Sequence, residues 1–398
     1  MTIQGNKRRE DVSVISSPRL LSRRRLMAGT AGCCLVPTAL AATASAADAS
    51  VTVVDTVSGP NFQAFWKTDL IPRIQKELGI QVRYTVGSGP TLQLQMQSWK
   101  QDAPEFTLLF VKGLDLSNMV QSGVALEPLY PAVATQIPNE SAEPKEFLAS
   151  NNGVALDGKG LIFWRAQFDL IYNSKYVKTP PKTWKEFYDR RKEFEGHIGL
   201  IRPDASSGGG RAFIYSFLTA FGVDFSQPFA TIEKSAAWKD GWDKFREFGK
   251  YLAQPVASAA PVMFHQFQTE EVWLSVYAQD YTLWSAAQGQ LPPTMKAAPL
   301  DVNIVGASNA WFAVPKVDTA AQKETAYKVI NLLLSPGVQL AMLETMYQYP
   351  GTDAWKQAPP SAWEKIPPVD QAESHGIRIS NLQAVTYIQQ HGMDYVAH

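Results

Sequence analysis

A glycine-rich segment followed by an arginine has the residue types that bind an anion. Residues 206–211 read Ser-Ser-Gly-Gly-Gly-Arg, and an apolar run begins at Phe213. A glycine-rich turn before a helix exposes backbone N–H groups at the positive end of the helix dipole, where an anion is stabilised. Arg211 could pair with the same anion. The alternative interpretation is an ordinary loop whose serine caps the helix.

Tryptophans are numerous in this sequence and favour a cationic or aromatic ligand. Of the eleven, Trp164, Trp284 and Trp311 lie near segments predicted to face a cleft. A ring face attracts an ammonium group by about 0.5 to 2 kcal/mol. A carboxylate such as Asp169 or Asp280 would complete recognition of a cation. Core packing is the alternative role for each tryptophan, and a zwitterion would use both signs of charge.

Metal binding and catalysis find little support in the residue spacing. The histidines are scattered, and Tyr347 and Tyr349 do not form the adjacent tyrosine pair that would suit a ferric ion. Gly306–Ala310 narrowly misses the G-x-S-x-G nucleophile elbow, but Trp311–Pro315 after it is predicted as a strand, whereas an elbow requires a helix there. We therefore predict no metal, no cofactor and no catalytic residue.

The first 46 residues predict an export signal that is cleaved. A basic stretch ends in Ser22-Arg23-Arg24-Arg25-Leu26-Met27, an apolar run extends over 28–40, and Ala44-Ser45-Ala46 offers a cleavage site. Paired arginines are typical of the twin-arginine (Tat) route, which predicts a periplasmic protein. The apolar run is shorter than the roughly 20 residues that a membrane span requires. A lipid-anchored form through Cys33 is a weaker alternative.

Cleavage at this site would leave a mature chain that is acidic and free of cysteine. Of 37 basic and 37 acidic residues, seven basic and two acidic ones lie in 1–46, so 30 basic and 35 acidic residues remain. This balance argues against a nucleic-acid partner. Cys33 and Cys34 leave with the signal, which excludes an internal disulfide. The remaining length of about 350 residues exceeds a single core and predicts two lobes.

Alternating strand and helix patterns would position the residues that bind a ligand. The predicted strands at 51–55, 80–86 and 106–111 each end in a polar or glycine-containing loop, and helical spacing follows the first two. This order is typical of a parallel α/β sheet, whose ligands bind at the carboxyl ends of the strands. The strand-end residues predicted on this side of a cleft are Ser58, Ser88 and Lys112.

The segment Gly160–Phe187, GLIFWRAQFDLIYNSKYVKTPPKTWKEF, resembles the region just past the first hinge of type II periplasmic binding proteins. Other segments are similar to that family and follow in the same order. They are the Gly123–Leu129 phrase, the glycine loop at 206–210, the return strand within Gly306–Pro315 and the helices of Ala320–Met346. The resemblance spans about 51–351. It is strongest to the branch that includes polyamine, thiamine, ferric-ion and phosphonate receptors.

This resemblance implies an α/β fold of two lobes, each a mainly parallel sheet flanked by helices, joined by a hinge that closes on a small solute. The expected divisions are the signal peptide (1–46), the first part of lobe 1 (47–165), lobe 2 (166–304), and the return to lobe 1 with C-terminal helices (305–398). The chain would cross between lobes near Trp164–Gln167 and again near Ile304–Asn309.

The predicted function is the substrate-binding component of an ABC-type importer, which captures a small polar solute and delivers it to a permease in the inner membrane. A small anionic or zwitterionic organic solute is expected, with the protein acting as a monomer. The alternatives are a receptor for a cationic nitrogenous solute, polyamine-like or thiamine-like, and a Tat-exported hydrolase. The residues predicted to bind the ligand are Ser58, Ser88, Lys112, Trp164, Arg165, Ser207, Gly209, Arg211, Asp280, Trp284, Asn309 and Tyr349.

Overall fold

The computed structural model of the protein describes residues 49–98, 106–205, 207–305 and 309–396. The predicted signal peptide, Ser206 and the serine-centred segment at 306–308 lie outside the described residues. No single helix in the described ranges is long and apolar enough to cross a membrane. The helices Ala320–Leu333 and Pro336–Met346, which are bent relative to each other, are together long and apolar enough to do so, by length and composition alone.

Strands and helices alternate along the chain. The strands are β1 (Ser50–Asp55), β2 (Gln81–Val86), β3 (Leu108–Lys112), β4 (Ser150–Asn151), β5 (Val154–Ala155), β6 (Leu161–Arg165), β7 (Gln167–Asn173), β8 (Ile198–Gly199), β9 (Leu274–Ala278), β10 (Met295–Ala298), β11 (Asn303–Val305), β12 (Ala310–Ala313), β13 (Tyr349–Pro350) and β14 (Gly376–Ile377).

The helices are α1 (Pro60–Phe65), α2 (Ile71–Leu78), α3 (Gly89–Ser98), α4 (Gly113–Gln121), α5 (Lys145–Ala149), α6 (Trp184–Asp189), α7 (Gly209–Ala220), α8 (Phe229–Ile232), α9 (Ala236–Gly249), α10 (Ala260–Gln268), α11 (Gln279–Ala287), α12 (Ala320–Leu333), α13 (Pro336–Met346), α14 (Val369–Ser374) and α15 (Leu382–His391). A π-helical turn at Trp66–Leu70 joins α1 to α2.

The first sheet has the strand order β13-β6-β12-β3-β1-β2. Its central strand β3 shows why the sheet is covered on both faces. Leu108 and Phe110 pack into one apolar cluster, while Leu109 and Val111 pack into another. Successive side chains of a strand point to opposite faces, so an unbroken apolar run requires helices on both sides. We call the elements around this sheet the first lobe.

The second sheet has the order β14-β11-β7-β9-β8, and β10 also pairs with β7. Helix α7 packs on this sheet and also contacts α9 and α15. Ten of its residues, from Gly209 to Leu218, are buried, because the helix is covered on several sides. We call the elements around this sheet the second lobe. The predicted two-lobed α/β fold is thereby confirmed.

The strand directions correct one detail of the prediction, because both sheets are mixed rather than mainly parallel. β1 is parallel to β2 and β3, but β12 is antiparallel to β3 and β6. In the second sheet, β7 is antiparallel to β9, β10 and β11. The reason is the path of the chain. β6 carries it out of the first sheet towards β7, and β11 and β12 bring it back in the opposite direction.

The chain passes from β6 to β7 through Ala166 and returns between β11 and β12. A third passage near the C-terminus is not predicted by the sequence. β14 pairs with β11 of the second sheet, and α15 contacts α7. The predicted division 305–398, the return to the first lobe plus C-terminal helices, therefore ends in elements that contact the second lobe.

Residues 376–381, which we call the C-terminal strap, contact both lobes. Arg378 pairs with Glu146 of α5 at 3.1 Å. The strap also passes so close to Gly153 that a Cβ atom there would lie 2.0 Å from the Ser380 carbonyl oxygen. On the other side, the Ser380 hydroxyl donates to the carbonyl oxygen of Phe225 at 3.1 Å. The strap is thus a further connection between the lobes.

Candidate functional site

A cleft of about 700 Å³ lies between the two lobes. The first lobe lines it with the loops that follow β1, β2 and β3, and the second lobe lines it with the residues after β9 and those leading into α7 and α10. The carboxyl ends of the parallel strands therefore meet at this cleft. Of the residues predicted to bind the ligand, those that line it are Ser58, Ser88, Lys112, Trp164, Ser207, Arg211 and Asp280.

Two cationic side chains reach the same part of the cleft from opposite lobes. Lys112 ends β3 in the first lobe, and Arg211 lies in the first turn of α7 in the second. Nη1 of Arg211 donates to the carbonyl oxygens of Pro203 at 2.8 Å and Ala205 at 2.9 Å, which fixes the guanidinium group. Burial lowers the pKa of both side chains, and the charge of Arg211 lowers that of Lys112 further. We call Lys112 and Arg211 the cation pair.

Asp115 lies beside the cation pair but is already engaged within the first lobe. Its Oδ2 accepts a hydrogen bond from the Thr56 hydroxyl at 3.0 Å. Burial raises the pKa of Asp115, and the charge of Lys112 is the largest effect that opposes this rise. The Asp115 side chain packs directly against the backbone of Gly89. A larger residue would not fit there, since a Cβ atom at position 89 would lie 2.1 Å from the Asp115 Cγ. Asp115 therefore partly neutralises Lys112, while Arg211 faces it from the other lobe.

A separate carboxylate, Asp280, lies in the first turn of α11, directly after β9. It is only 7% exposed, and burial raises its pKa to about 7. The backbone N–H groups of Asp280 and Tyr281 oppose this rise, as the positive end of a helix should. The Asn61 side chain approaches from α1 of the first lobe and opposes it as well. Its Nδ2 nevertheless makes no hydrogen bond to any described residue.

Aromatic side chains line the walls of the cleft. Trp164 packs on Phe62 with ring centroids 4.0 Å apart, and Phe168 meets Tyr277 edge to face at 5.8 Å. Tyr281 lies beside Asp280 on the same helix. Flat apolar walls with a few polar groups between them suit a small organic molecule.

Buried polar atoms without partners lie in the same cleft. Ser58 Oγ and Ser207 Oγ make no hydrogen bond of good geometry to a described residue, although Ser58 lies near Asp55 and Tyr84 and Ser207 lies near Tyr277. A buried polar atom left in this state costs about 1 to 3 kcal/mol. Such atoms are common where a protein binds a ligand, because the ligand can supply the partner.

Five of the predicted ligand-binding residues do not line the cleft. Arg165 is the clearest case. Its guanidinium group turns away towards the C-terminal helices, with Nη1 2.5 Å from Glu373 Oε1 and Nε donating to the Pro350 carbonyl oxygen at 2.7 Å. Gly209 instead allows α7 to approach Tyr277, since a Cβ atom there would lie 2.5 Å from the Tyr277 ring. In this structure both residues contact neighbouring protein groups outside the cleft lining.

The other three serve the hinge or the surrounding structure. Asn309 accepts a hydrogen bond from the Ala166 N–H at 2.8 Å, so it joins the two strands that cross between the lobes. Tyr349 donates to the Pro367 carbonyl oxygen at 2.7 Å. Trp284 lies on α11 with its ring centroid 6.5 Å from that of Tyr281, outside the cleft. The ligand-binding roles of the seven residues that do line the cleft stay predictions.

Sequence reasoning did not identify several residues of the cleft. Asn61 lies in the first turn of α1, three residues after Ser58, so its position just after a strand could have marked it. Tyr277 and Tyr281 flank Asp280, but nothing in the local pattern separates them from core aromatics. For metals, the described part of the chain holds no group of three or more His, Cys, Asp or Glu side chains that could bind an ion.

Comparison with known proteins agrees with this architecture. The family model for bacterial extracellular solute-binding proteins matches residues 69–368. No curated protein matches the chain by sequence. Similar solved structures include the spermidine/putrescine ABC transporter substrate-binding protein PotD from Streptococcus pneumoniae, with a TM-score of 0.67 and 14% identity over 88% of this chain and 100% of that one.

A second similar structure is an ABC transporter solute-binding protein from Thermotoga lettingae bound to α-D-tagatose. Its TM-score is 0.69 at 15% identity, over 88% of this chain and 95% of that one. A third is the Atu4243 GABA receptor, with a TM-score of 0.62 and 17% identity over 87% and 95% of the two chains. At these identities the similarity shows the fold. The matched family model, together with the two lobes and their cleft, places this chain in the family of bacterial extracellular solute-binding proteins, with the type II fold.

Proposed function

We propose that this protein is the substrate-binding component of an ABC-type importer and captures a small anionic or zwitterionic solute between its lobes. The observation that supports the ligand class is the cation pair, with Lys112 from the first lobe and Arg211 from the second. Proteins of the same fold bind solutes as different as tagatose and GABA. The fold therefore does not select the ligand, and the residues of the cleft must do so.

An anion would couple binding to closure of the lobes. The half-buried Lys112 and the buried Arg211 repel each other, and Asp115 offsets the charge of both only in part. An anionic group between them would neutralise both at once, through charge-assisted hydrogen bonds that form fully only when the lobes are together. A ligand that contacts both lobes shifts the population towards the closed form. The closed form would then be presented to a permease in the inner membrane.

The alternatives fit the cleft less well. One ammonium group of a polyamine would meet the repulsion of Lys112 and Arg211, and the nearby carboxylate of Asp115 already accepts from Thr56. A hydrolase would need a helix after Ser308, whereas Ala310–Ala313 forms the strand β12. We therefore infer that the protein binds its solute without converting it.

We also propose that the protein acts as a monomer in the periplasm and is exported by the twin-arginine route. The location agrees with the family, whose members are extracellular. The route is supported by the paired arginines Arg23 and Arg24 before an apolar run.

The experiment that tests the function measures binding and lobe movement together. A chain that begins at residue 47 has no cysteine, so Leu94→Cys on α3 and Lys239→Cys on α9 provide two labelling sites, one on each lobe. Phosphonates, sulfonates, amino-acid derivatives, polyamines and thiamine are first screened by thermal shift. A ligand at 100 times its Kd adds about 2.7 kcal/mol of stability. We expect an anionic or zwitterionic hit to change the distance between the labels and to be recovered unchanged.

Two arginine variants serve as the matched comparison. Arg211→Gln should weaken binding by about 10- to 100-fold, as expected when a charged hydrogen bond is lost. Arg202→Gln makes the same chemical change in the preceding loop, where Arg202 pairs with Asp204 at 2.8 Å on the surface, and should leave binding unchanged. Consumption of the solute, or tight binding by Arg211→Gln, would contradict the proposal.

A further inference from the structure

A second pair of residues from opposite lobes lies in the cleft. Asn61 belongs to α1 of the first lobe, and Asp280 belongs to α11 of the second. Both line the cleft, and the Asn61 amide approaches the Asp280 carboxylate. The cleft therefore contains two interlobe pairs, the cation pair and a polar pair with one carboxylate. We call Asn61 and Asp280 the acid–amide pair.

Asp280 differs from the other two carboxylates that line the cleft. Asp204 is held by Arg202 in a surface ion pair at 2.8 Å, and Asp115 accepts from Thr56 beside Lys112. The groups that interact with the Asp280 carboxylate are the neutral side chains of Asn61, Tyr277 and Tyr281, together with backbone N–H groups. A buried carboxylate is normally paired with a cation or protonated. A cationic group of a ligand would supply the missing counter-charge.

We propose that the solute is a small zwitterion, whose anionic group lies between Lys112 and Arg211 and whose ammonium group lies between Asp280 and Asn61. The inference rests on the proposed function and specifies the substrate class of the same cleft. Each end of the ligand would contact one residue from each lobe. The aromatic wall of Trp164 and Phe62 would accommodate the apolar part between the two charged groups.

This arrangement selects by charge at both ends. A dicarboxylate would place a negative group against Asp280, and a diamine would place a positive group against the cation pair. This repulsion would exclude dicarboxylates and diamines even when their length matches that of the zwitterion. A simple monocarboxylate would satisfy the cation pair but leave Asp280 without a counter-charge, so it should bind weakly.

Calorimetric titration of the mature chain with matched compounds tests the inference. The zwitterions are α-amino acids and ω-amino carboxylates of three to six carbons. The controls are the unsubstituted carboxylate, the alkylamine, the dicarboxylate and the diamine of equal length. We expect one zwitterion to bind at least 100-fold more tightly than each of its four controls.

Variants at the two pairs assign the two ends of the ligand. Asp280→Asn should weaken zwitterion binding by about 10- to 100-fold, because the ammonium end loses its partner, and should not weaken monocarboxylate binding, because no uncompensated charge remains at position 280. Arg211→Gln should weaken both. Asp318→Asn removes a buried carboxylate that precedes α12 and does not line the cleft, so it should weaken neither. Asn61→Ala gives a second test of the acid–amide pair that does not depend on the folding of Asp280→Asn.

The outcomes separate the two proposals. If a carboxylate without an amine binds as tightly as any zwitterion, and neither Asp280→Asn nor Asn61→Ala changes zwitterion affinity, the zwitterion inference is wrong while the receptor function stands. If no compound of this series or of the wider screen binds, the proposed receptor function for such solutes fails as well.

Discussion

Asp280 lines the cleft and is buried at a cost to the folded protein. Burial raises its pKa from 3.8 to about 7, so the native state holds this proton more tightly than the unfolded chain does. The stability that results is fully present below about pH 4 and is lost as the pH rises towards 7. At pH 8 the ionised, buried carboxylate therefore destabilises the protein, at 1.36 kcal/mol for each unit of the pKa difference, or about 4 kcal/mol at most.

Asp280→Asn should therefore stabilise the ligand-free protein in a pH-dependent way. We expect the free energy of unfolding to rise by about 1 to 4 kcal/mol at pH 8 and to change much less at pH 4.5, where Asp280 is protonated in the native state. Urea unfolding of the wild type and the variant at the two pH values measures this difference in free energy. The other buried acids titrate alike in both proteins, so their contributions cancel. Asp204→Asn should give no gain at either pH, because Arg202 lowers the pKa of Asp204. An equal change at both pH values would contradict this account.

The candidate site was predictable from the sequence where the signal is local. Ser58, Ser88 and Lys112 each follow a strand, and Arg211 follows a glycine-rich turn, so strand ends and helix starts identified them. Arg165 shows where local reasoning fails. It has the same side chain and also lies at a strand end, but its partner Glu373 is 208 residues away in sequence. Only the folded chain decides which arginine faces the cleft.

At the scale of elements, Arg165 joins β6 to the segments that follow β13. Its guanidinium group does not line the cleft, because its donors are directed to Glu373 and to the carbonyl oxygens of Pro350 and Thr352. A buried arginine that donates to several protein acceptors stabilises the fold through each of these hydrogen bonds. Replacing the arginine leaves its acceptors without partners.

Arg165→Gln should thus lower stability and spare binding. We expect a loss of about 2 to 4 kcal/mol in the free energy of unfolding, measured by urea denaturation, with the affinity for the solute unchanged. Arg378→Gln is the matched control. Its ion pair with Glu146 is exposed on both sides, so the loss should stay below about 1 kcal/mol. If Arg165→Gln instead weakened binding without reducing stability, the original prediction of a ligand contact would be restored.

Sequence patterns predict the positions of some strands but not the directions in which strands pair. β1, β2 and β3 lie within a residue or two of the predicted runs. β1 and β3 are apolar, largely buried runs, and β2 is a partly exposed edge strand that ends at the Gly87–Pro90 turn. The directions of β6 and β12 were not predictable in this way. Their antiparallel pairing joins Trp164 to Ala310, and it depends on the return of the chain through the hinge.

For the whole molecule, the export route gives a testable prediction. Arg23→Lys together with Arg24→Lys should leave the precursor in the cytoplasm, because the twin-arginine machinery reads this pair. Cell fractionation followed by immunoblotting measures the distribution. Arg8→Lys with Arg9→Lys changes two arginines of the same basic stretch outside the motif and should not affect export. Normal export of the Arg23/Arg24 double variant would exclude this route.

The third passage of the chain sets the order in which the molecule can be completed during synthesis. β14 and α15 belong to the second lobe, yet the ribosome makes them after all the strands of the first. At roughly 5 to 20 residues per second, the last strand of the second sheet is made about 10 to 40 seconds after β7. The second lobe can therefore complete its sheet only after nearly all of the preceding chain has been made. A translocase that accepts folded cargo would match that timing.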